Sequence, residues 1–249
     1  MQTQSLAAAE LYASKESHNC NYNIDRLKKG PVDWTKIEGT GKIFTDHSFP
    51  ADSTMLSWKE YPRTIGGLAK YLSWFKDFRR PKDLHLMASK DKEGGEVTLF
   101  GKDFDTTHQL MSTEYEQGAV GDNYFLTMLA ALAERKDFIP SMFHQKKYNH
   151  EGIFAIRVYV KGRHEDVTVD DLFPIYGNNP AFVNPTQDNG WWLPLLEKAY
   201  AKVNVNYEMV SSGTQAEAAR FLTGAPAREF DSNVQTLEEL QLTLRINLQ

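Results

Sequence analysis

The chain has 249 residues, 28 Lys and Arg against 33 Asp and Glu, and a formal charge of −5. Hydrophobic residues make up 41% and charged residues 24%, a composition that fits a globular protein with a real core and excludes global disorder. The mild acidic balance excludes the basic footprint of a nucleic-acid binder. No apolar run approaches the roughly 18 residues of a membrane span. The opening MQTQSLAAAELYASKE has neither the basic nor the apolar region of a secretory signal. The single cysteine, Cys20, excludes an internal disulfide and a Cys-rich zinc site. A soluble cytoplasmic protein is the expectation.

Residues 1–41 read as a polar extension with a short helix over 7–12 and a break at Gly30-Pro31. Two arrangements fit it: a loose segment, or a strap packed on the domain through Leu11, Tyr12 and Trp34. The domain is expected over 42–231. Phe49-Pro50 and Tyr61-Pro62-Arg63 are turn signals. Leu68, Tyr71, Leu72 and Phe75 fall at i, i+3, i+4 and i+7, which predicts an amphipathic helix over 65–75, ended at Arg79-Arg80-Pro81. KDKEGG, residues 90–95, is a charged loop, and 96–100 a short strand.

The segment 117–122 is a glycine-bearing turn, followed by a helix over 123–136 with Phe125, Met128, Leu129 and Leu132 on one side and Asp122 as its N-cap. In IFAIRVYV, Phe154, Ile156, Val158 and Val160 alternate with Arg157 and Tyr159, which predicts a strand. Lys161-Gly162-Arg163 turns it, Val167 and Val169 form the return strand, and Asp170-Asp171 leads to a turn at Phe173-Pro174. A helix over 191–203 carries an apolar stripe of Trp192, Leu195, Leu196, Ala199 and Val203. Thr214 and Glu217 have the spacing of a capping box, opening a helix closed by Gly224. Leu237, Leu240 and Leu244 suggest a last helix in the tail, 232–249. No internal repeat is visible.

QGAVGDNYFLTMLAAL resembles the active-site segment of calpain-type cysteine proteases, Gln-Gly-x-x-Gly-Asp-Cys-Trp followed by an apolar helix. GIFAIRVYVKGRHEDVTVDDLFPI is similar to the hairpin that follows it, and WWLPLLEKAYAK to the family's Trp-x-x-Leu-Leu-Glu-Lys-Ala-Tyr-Ala-Lys helix. KIFTDHSFPADSTMLSW, FRRPKDL and FLTGAP match further family segments, so the likeness covers 42–231 in order. It implies an α+β, papain-like fold, the N-terminal subdomain of a calpain protease core: a buried central helix, a β-hairpin and packed helices.

A cysteine protease needs a thiolate, a histidine base and an orienting side chain. The resemblance puts the nucleophile at position 123, where this chain has Asn123, and the oxyanion-hole donor at Gln117. A carboxamide does not attack a carbonyl at neutral pH, so no covalent intermediate and no oxyanion are expected. The family's catalytic histidine lies well downstream, and none of the seven histidines here lies beyond His164. His144, His150 and His164 read as surface residues. The resemblance also implies a calcium ion held by carboxylates and carbonyls. Glu114 stands at one acidic position and Gly190 at the other, with Asp188 nearby, so Glu114 and Asp188 are only weak calcium candidates and no cofactor is expected.

Other groupings read as structural. Asp170 and Asp171 point to opposite faces of a strand and cannot converge for acid–base work. Cys20 is a free surface thiol, and Trp191-Trp192 is core. The basic runs at 26–29 and 77–83 are solvated faces, or contacts to an acidic partner such as tubulin. The expectation is therefore a catalytically inactive calpain-like protein, a structural or interaction module in a larger assembly, set by family association in the cytoskeleton or ciliary axoneme with tubulin or axonemal partners. The alternatives are a regulatory peptide-binding pseudoprotease and a fragment or inactivated form of an active enzyme.

Overall fold

The computed structural model describes residues 32–57, 75, 77–84, 96–101, 116–229, 238, 239 and 241. Cys20, the basic run at 26–29, the charged loop at 90–95, Glu114 and the leucines of the tail lie outside them. So does the expected helix at 65–75 except for Phe75, which is buried edge-on against Phe182 at 5.6 Å. Trp34 begins a 3-10 turn, Trp34–Lys36, and packs on His144 with ring centroids 5.1 Å apart.

The architecture is α+β, with helices packed on two small sheets. The helices are α1 (Ser53–Leu56), α2 (Asn123–Ala133), α3 (Phe138–Met142), α4 (Trp192–Val203) and α5 (Gln215–Thr223). The strands are β1 (Asp77–Arg79), β2 (Ile153–Val160), β3 (Arg163–Asp170), β4 (Phe173–Tyr176) and β5 (Asn179–Pro180). β2 and β3 form an antiparallel hairpin with Ile153 opposite Asp170 and Val160 opposite Arg163. Lys161 and Gly162 both have positive φ, 51° and 76°, as a two-residue turn matched to the twist of the strands requires. The second sheet has the order β1-β4-β5, antiparallel throughout.

Two expectations need correction here. Phe173-Pro174 is not a turn but the start of β4. The missing Pro174 N–H does not stop its carbonyl from accepting the Ala181 N–H at 2.8 Å. The segment 96–100 is not a strand of its own: it makes one parallel bridge, Thr98 to Gly190. Its carbonyls are used otherwise, Thr98 accepting from Trp191 N and Leu99 from Trp192 N (3.1 and 2.8 Å), which satisfies donors that the start of α4 leaves open. The expected helix with its apolar stripe forms as α4, and burial extends beyond the stripe. Every residue from Trp192 to Ala201 is buried, Glu197 and Lys198 included, while Val203 is only partly covered.

The buried charges explain how α4 tolerates this. Lys198 is 0% exposed and donates to Asp170 at the end of β3 and to the Leu172 carbonyl at 2.5 Å. One turn on, Lys202 donates to Asp46 (2.6 Å) and to the Thr168 carbonyl (2.5 Å). Asp46 N in turn donates to Asp170 Oδ2 at 2.7 Å. Burial pushes the Asp46 carboxyl up, but Lys202 and Ser48 outweigh it and hold it below the ordinary carboxylate value. On the other side of the same strand end, Arg80 pairs with Asp171, which also accepts from Tyr148, and Arg80 Nη2 donates to the Phe44 carbonyl at 2.6 Å. The run at 77–83 is thus not wholly a solvated face: Arg80 is buried in a bridge that ties β1 to the hairpin.

Aromatic packing joins the helices. Phe125 of α2 stacks flat on Tyr200 of α4 at 4.2 Å, and Phe221 of α5 meets Tyr200 edge-on at 4.8 Å. The Thr214–Glu217 capping box forms at the start of α5, and Gly224 closes it at φ 70°.

Trp192, 2% exposed, is core, and Trp192→Ala is expected to cost about 3–5 kcal/mol in urea melts, a loss under about 1 kcal/mol placing it outside the core. Lys198→Met strands Asp170 as a buried, unpaired charge and is expected to cost about 3–5 kcal/mol by the same measurement, with much of the loss recovered when Asp170→Asn is added.

Candidate functional site

The loop 116–122 and the first turn of α2 bring Gln117 and Asn123 to one junction. The loop is held from both sides. Ala119 N donates to the Ala181 carbonyl (2.9 Å), and Asn184 N to the Glu116 carbonyl (3.0 Å). Gly118 lies so close to Phe182 that a Cβ would stand 2.1 Å from its carbonyl oxygen. Val120 is buried, whereas Gln117 and Asn123 are exposed. The Gln117 amide folds back and donates to the Val120 carbonyl at 2.8 Å, so the donor that the resemblance assigns to an oxyanion braces its own loop. Asn123 is the first residue of α2, and its carbonyl accepts the Thr127 hydroxyl at 2.8 Å. Its side chain stands at the end of the helix where the free N–H groups favour negative charge.

Asp122 occupies the N-cap position but does not cap. Its side chain makes no capping hydrogen bond, and it is fully buried. It turns inward toward Glu197 of α4. Burial raises the Asp122 carboxyl to about 7 against the lowering effect of this contact, whereas burial and the neighbouring Asp122 together raise Glu197 well above its ordinary value. Both Glu197 oxygens accept the Val183 N–H (3.2 and 3.4 Å). The sequence reading missed this pair, although a signal existed: positions 193, 194, 200 and 201, which flank Glu197 on its helix face, are Leu, Pro, Tyr and Ala.

The histidines of the hairpin region are engaged where they stand. His144 is half-buried rather than a free surface residue, with Nε2 2.9 Å from Asp166 Oδ1 and its ring against Trp34. His164 is exposed with its ring 4.1 Å from Tyr159, and His150 is exposed. Asp170 and Asp171 serve separate cations, as their opposite faces required.

The turn 186–190 is closed on itself. Thr186 Oγ1 donates to Asp188 (2.5 Å) and accepts from Gly190 N (2.8 Å), and Asn189 carries the Trp191 indole N–H on its Oδ1 (2.9 Å). Gly190 has no room for a side chain: a Cβ would lie 2.6 Å from Thr186 Oγ1 and 2.8 Å from Gly101 N. A second carboxylate at this position does not fit, and the one carboxylate of the turn, Asp188, is taken by Thr186. Among the described residues no group of three or more His, Cys, Asp or Glu is arranged to hold a metal ion, and no helix is long and apolar enough to cross a membrane.

The sequence profile of the calpain family cysteine proteases matches residues 44–248. The chain belongs to the calpain family. Among its relatives, the calpain-type cysteine protease DEK1 of Zea mays is 36% identical over 76% of this chain and 8% of its own length. The calpain-type cysteine protease ADL1 of Oryza sativa subsp. japonica is 30% identical over the same shares. The calpain-1 catalytic subunit of Mus musculus is 29% identical over 83% of this chain and 26% of its own length. This calpain-family chain therefore spans about a quarter of the animal protein it matches and less than a tenth of the plant ones.

Replacing Gly190 by Glu, to supply the acid that the family resemblance implies, is expected to destabilise the domain by about 1–3 kcal/mol in denaturant melts through the clash with Thr186 and Gly101, and to leave the midpoint unmoved by added calcium.

Proposed function

We propose that this chain is a non-catalytic member of the calpain family, a structural or interaction module that keeps the protease-core fold without its chemistry. The observation that carries the reading is Asn123, exposed on the first residue of α2 at the junction where the resemblance implies a cysteine. That position suits a thiolate, because the helix N-terminus lowers the energy of a negative charge. A neutral carboxamide makes no use of it and has no nucleophilic form near neutral pH. The Gln117 amide, committed to Val120, supports the same reading. Calcium has no part in it, since the turn 186–190 lacks space for the second acid.

In this reading the module is the segment 42–231, flanked by the extension 1–41 and the tail 232–249, and its work is to be held in a larger assembly. A cytoskeletal or axonemal place, with tubulin or axonemal proteins as partners, is the form of it that the likeness to catalytically defective calpain-like proteins supports. Detergent and then high-salt extraction of source cells, followed by cross-linking mass spectrometry, tests it. Retention in the insoluble fraction with cross-links to tubulin or axonemal proteins is the expected result. A freely soluble monomer sinks the assembly reading and favours a regulator that binds peptides at the Gln117–Asn123 junction.

Asn123→Cys alone is expected to leave hydrolysis of a fluorogenic peptide at the buffer rate, with or without calcium. The new thiol gains a helix N-terminus but no base, the hairpin histidines being committed to Asp166, Tyr159 and solvent. Clear turnover by that variant would contradict the non-catalytic reading.

A further inference from the structure

The outward face of the β2–β3 hairpin carries side chains that neither the core nor the Gln117–Asn123 junction uses. Arg157 stands opposite Asp166, and Tyr159 opposite His164, so all four share one face. His144 N donates to the Ala155 carbonyl at 3.0 Å, which lays the segment 143–146 beside β2 and brings His144 and Lys146 to the same place. Arg157, His164 and Asp166 line a cavity of about 340 Å³.

The carboxylate of this cavity is already answered. Asp166 Oδ1 lies 2.9 Å from His144 Nε2 and 3.6 Å from Arg157 Nε. Arg157 approaches it through Nε, its side chain is 50% exposed, and its two Nη groups meet no acceptor among the described residues. His164 is exposed, with its ring on Tyr159 at 4.1 Å. Tyr159 is backed by Gly224, where a Cβ would come within 2.4 Å of its ring. Lys146 is tethered by the Pro140 and Phe143 carbonyls at 2.7 and 2.6 Å. Burial and the neighbouring Arg157 charge draw its ammonium below the ordinary value, and an anion between the two cations relieves that repulsion. Two cations and two imidazoles thus surround one carboxylate, on a chain whose overall charge is −5.

We propose that this cavity docks an acidic segment of a partner protein, with a Glu or Asp carboxylate of the partner held by the Arg157 guanidinium and a second one answering Lys146. This docking role rests on the reading of the chain as an interaction module and gives that module a surface. Charge complementarity selects the partner. A guanidinium with both Nη groups uncommitted matches one carboxylate in a two-pronged fork. Asp166 repels a phosphoryl dianion more strongly than a monoanion. The net negative charge of the chain opposes a nucleic acid, and the patch is smaller than the basic stripe that such a ligand requires. The Tyr159 and His164 rings offer apolar surface to the methylenes of a glutamate stem.

Calorimetric titration of the whole chain at low salt with acetyl-Gly-Glu-Glu-Glu-Glu-Gly-amide, beside its Gln counterpart and inorganic phosphate, tests this. The Glu peptide is expected to bind saturably, to shift amide NMR signals at 144–146 and 157–166, and to weaken as salt rises from about 0.02 M to about 0.2 M. Arg157→Gln is expected to weaken binding about tenfold. Asp166→Asn, which removes the opposing charge, is expected to strengthen it about threefold. If Arg157→Gln does not fold, Lys146→Gln takes its place, with a loss of about threefold. Equal binding of the Gln peptide, tighter binding of phosphate than of the Glu peptide, or no saturation by about 1 mM overturns the proposal. So does an Arg157→Gln chain that binds as well as the unchanged one, or weakened binding by Asp166→Asn. None of these results touches position 123, so a failed titration strikes this surface and leaves the non-catalytic reading to the Asn123→Cys assay and the module reading to the extraction.

Discussion

The salt bridge between Lys198 and Asp170 is the constraint on which the other contacts of this domain depend. It lies in the interior, with Lys198 and Asp170 both fully buried, and it joins the central stretch of α4 to the last residue of the hairpin. A buried ion pair of this kind adds little net stability over an apolar replacement, because both charges are desolvated. What it does is exclude alternatives. Any register in which Lys198 misses Asp170 leaves two naked charges in the core. The chain entering at Phe44–Ser48 is fixed by the same logic. Asp46 binds Lys202 through its carboxyl and Asp170 through its N–H, so one segment closes against both helix and hairpin.

Consecutive residues of α4 solve opposite electrostatic problems. Lys198 faces the hairpin, where carboxylates and carbonyls await it, and Glu197 faces Asp122, another acid. Neighbouring positions on a helix point about 100° apart, so the two cannot neutralise each other. The cationic side is satisfied by pairing, whereas on the anionic side burial raises both carboxyls above their ordinary values. Asp122, buried on that anionic side, stands next to Asn123, on which the functional reading turns.

That reading separates fold from chemistry. Membership of the calpain family rests on the profile match over 44–248 and on relatives at about 30% identity, and fold alone does not confer activity. The loop that positions the junction is held by backbone contacts from Ala119 and Asn184 and by the close approach of Gly118 to Phe182, none of which involves the side chain at 123. A scaffold built this way keeps its shape when the reactive residue changes.

Much of the secondary structure was legible from local pattern: the alternation of the β2 strand, the Lys161-Gly162 turn, the Thr214–Glu217 capping box and Gly224 depend on residues close in sequence. The position of Asn123 at the head of a helix was legible for the same reason. Elements whose backbone is satisfied by distant segments were not. The carbonyls of 98–99 became the cap of α4 instead of a strand ladder, and Pro174 entered a strand because its carbonyl met Ala181. The sequence by itself determined the family, the helix that carries position 123 and the residue standing there, since these reside in contiguous motifs. Only the tertiary structure decided that Asp122 turns inward, that Arg80 and Lys198 are buried partners rather than surface charge, and that Gly190 has no room for an acid. Each of those depends on the approach of segments tens of residues apart in the chain, and burial and electrostatic pairing come into being only when such segments meet.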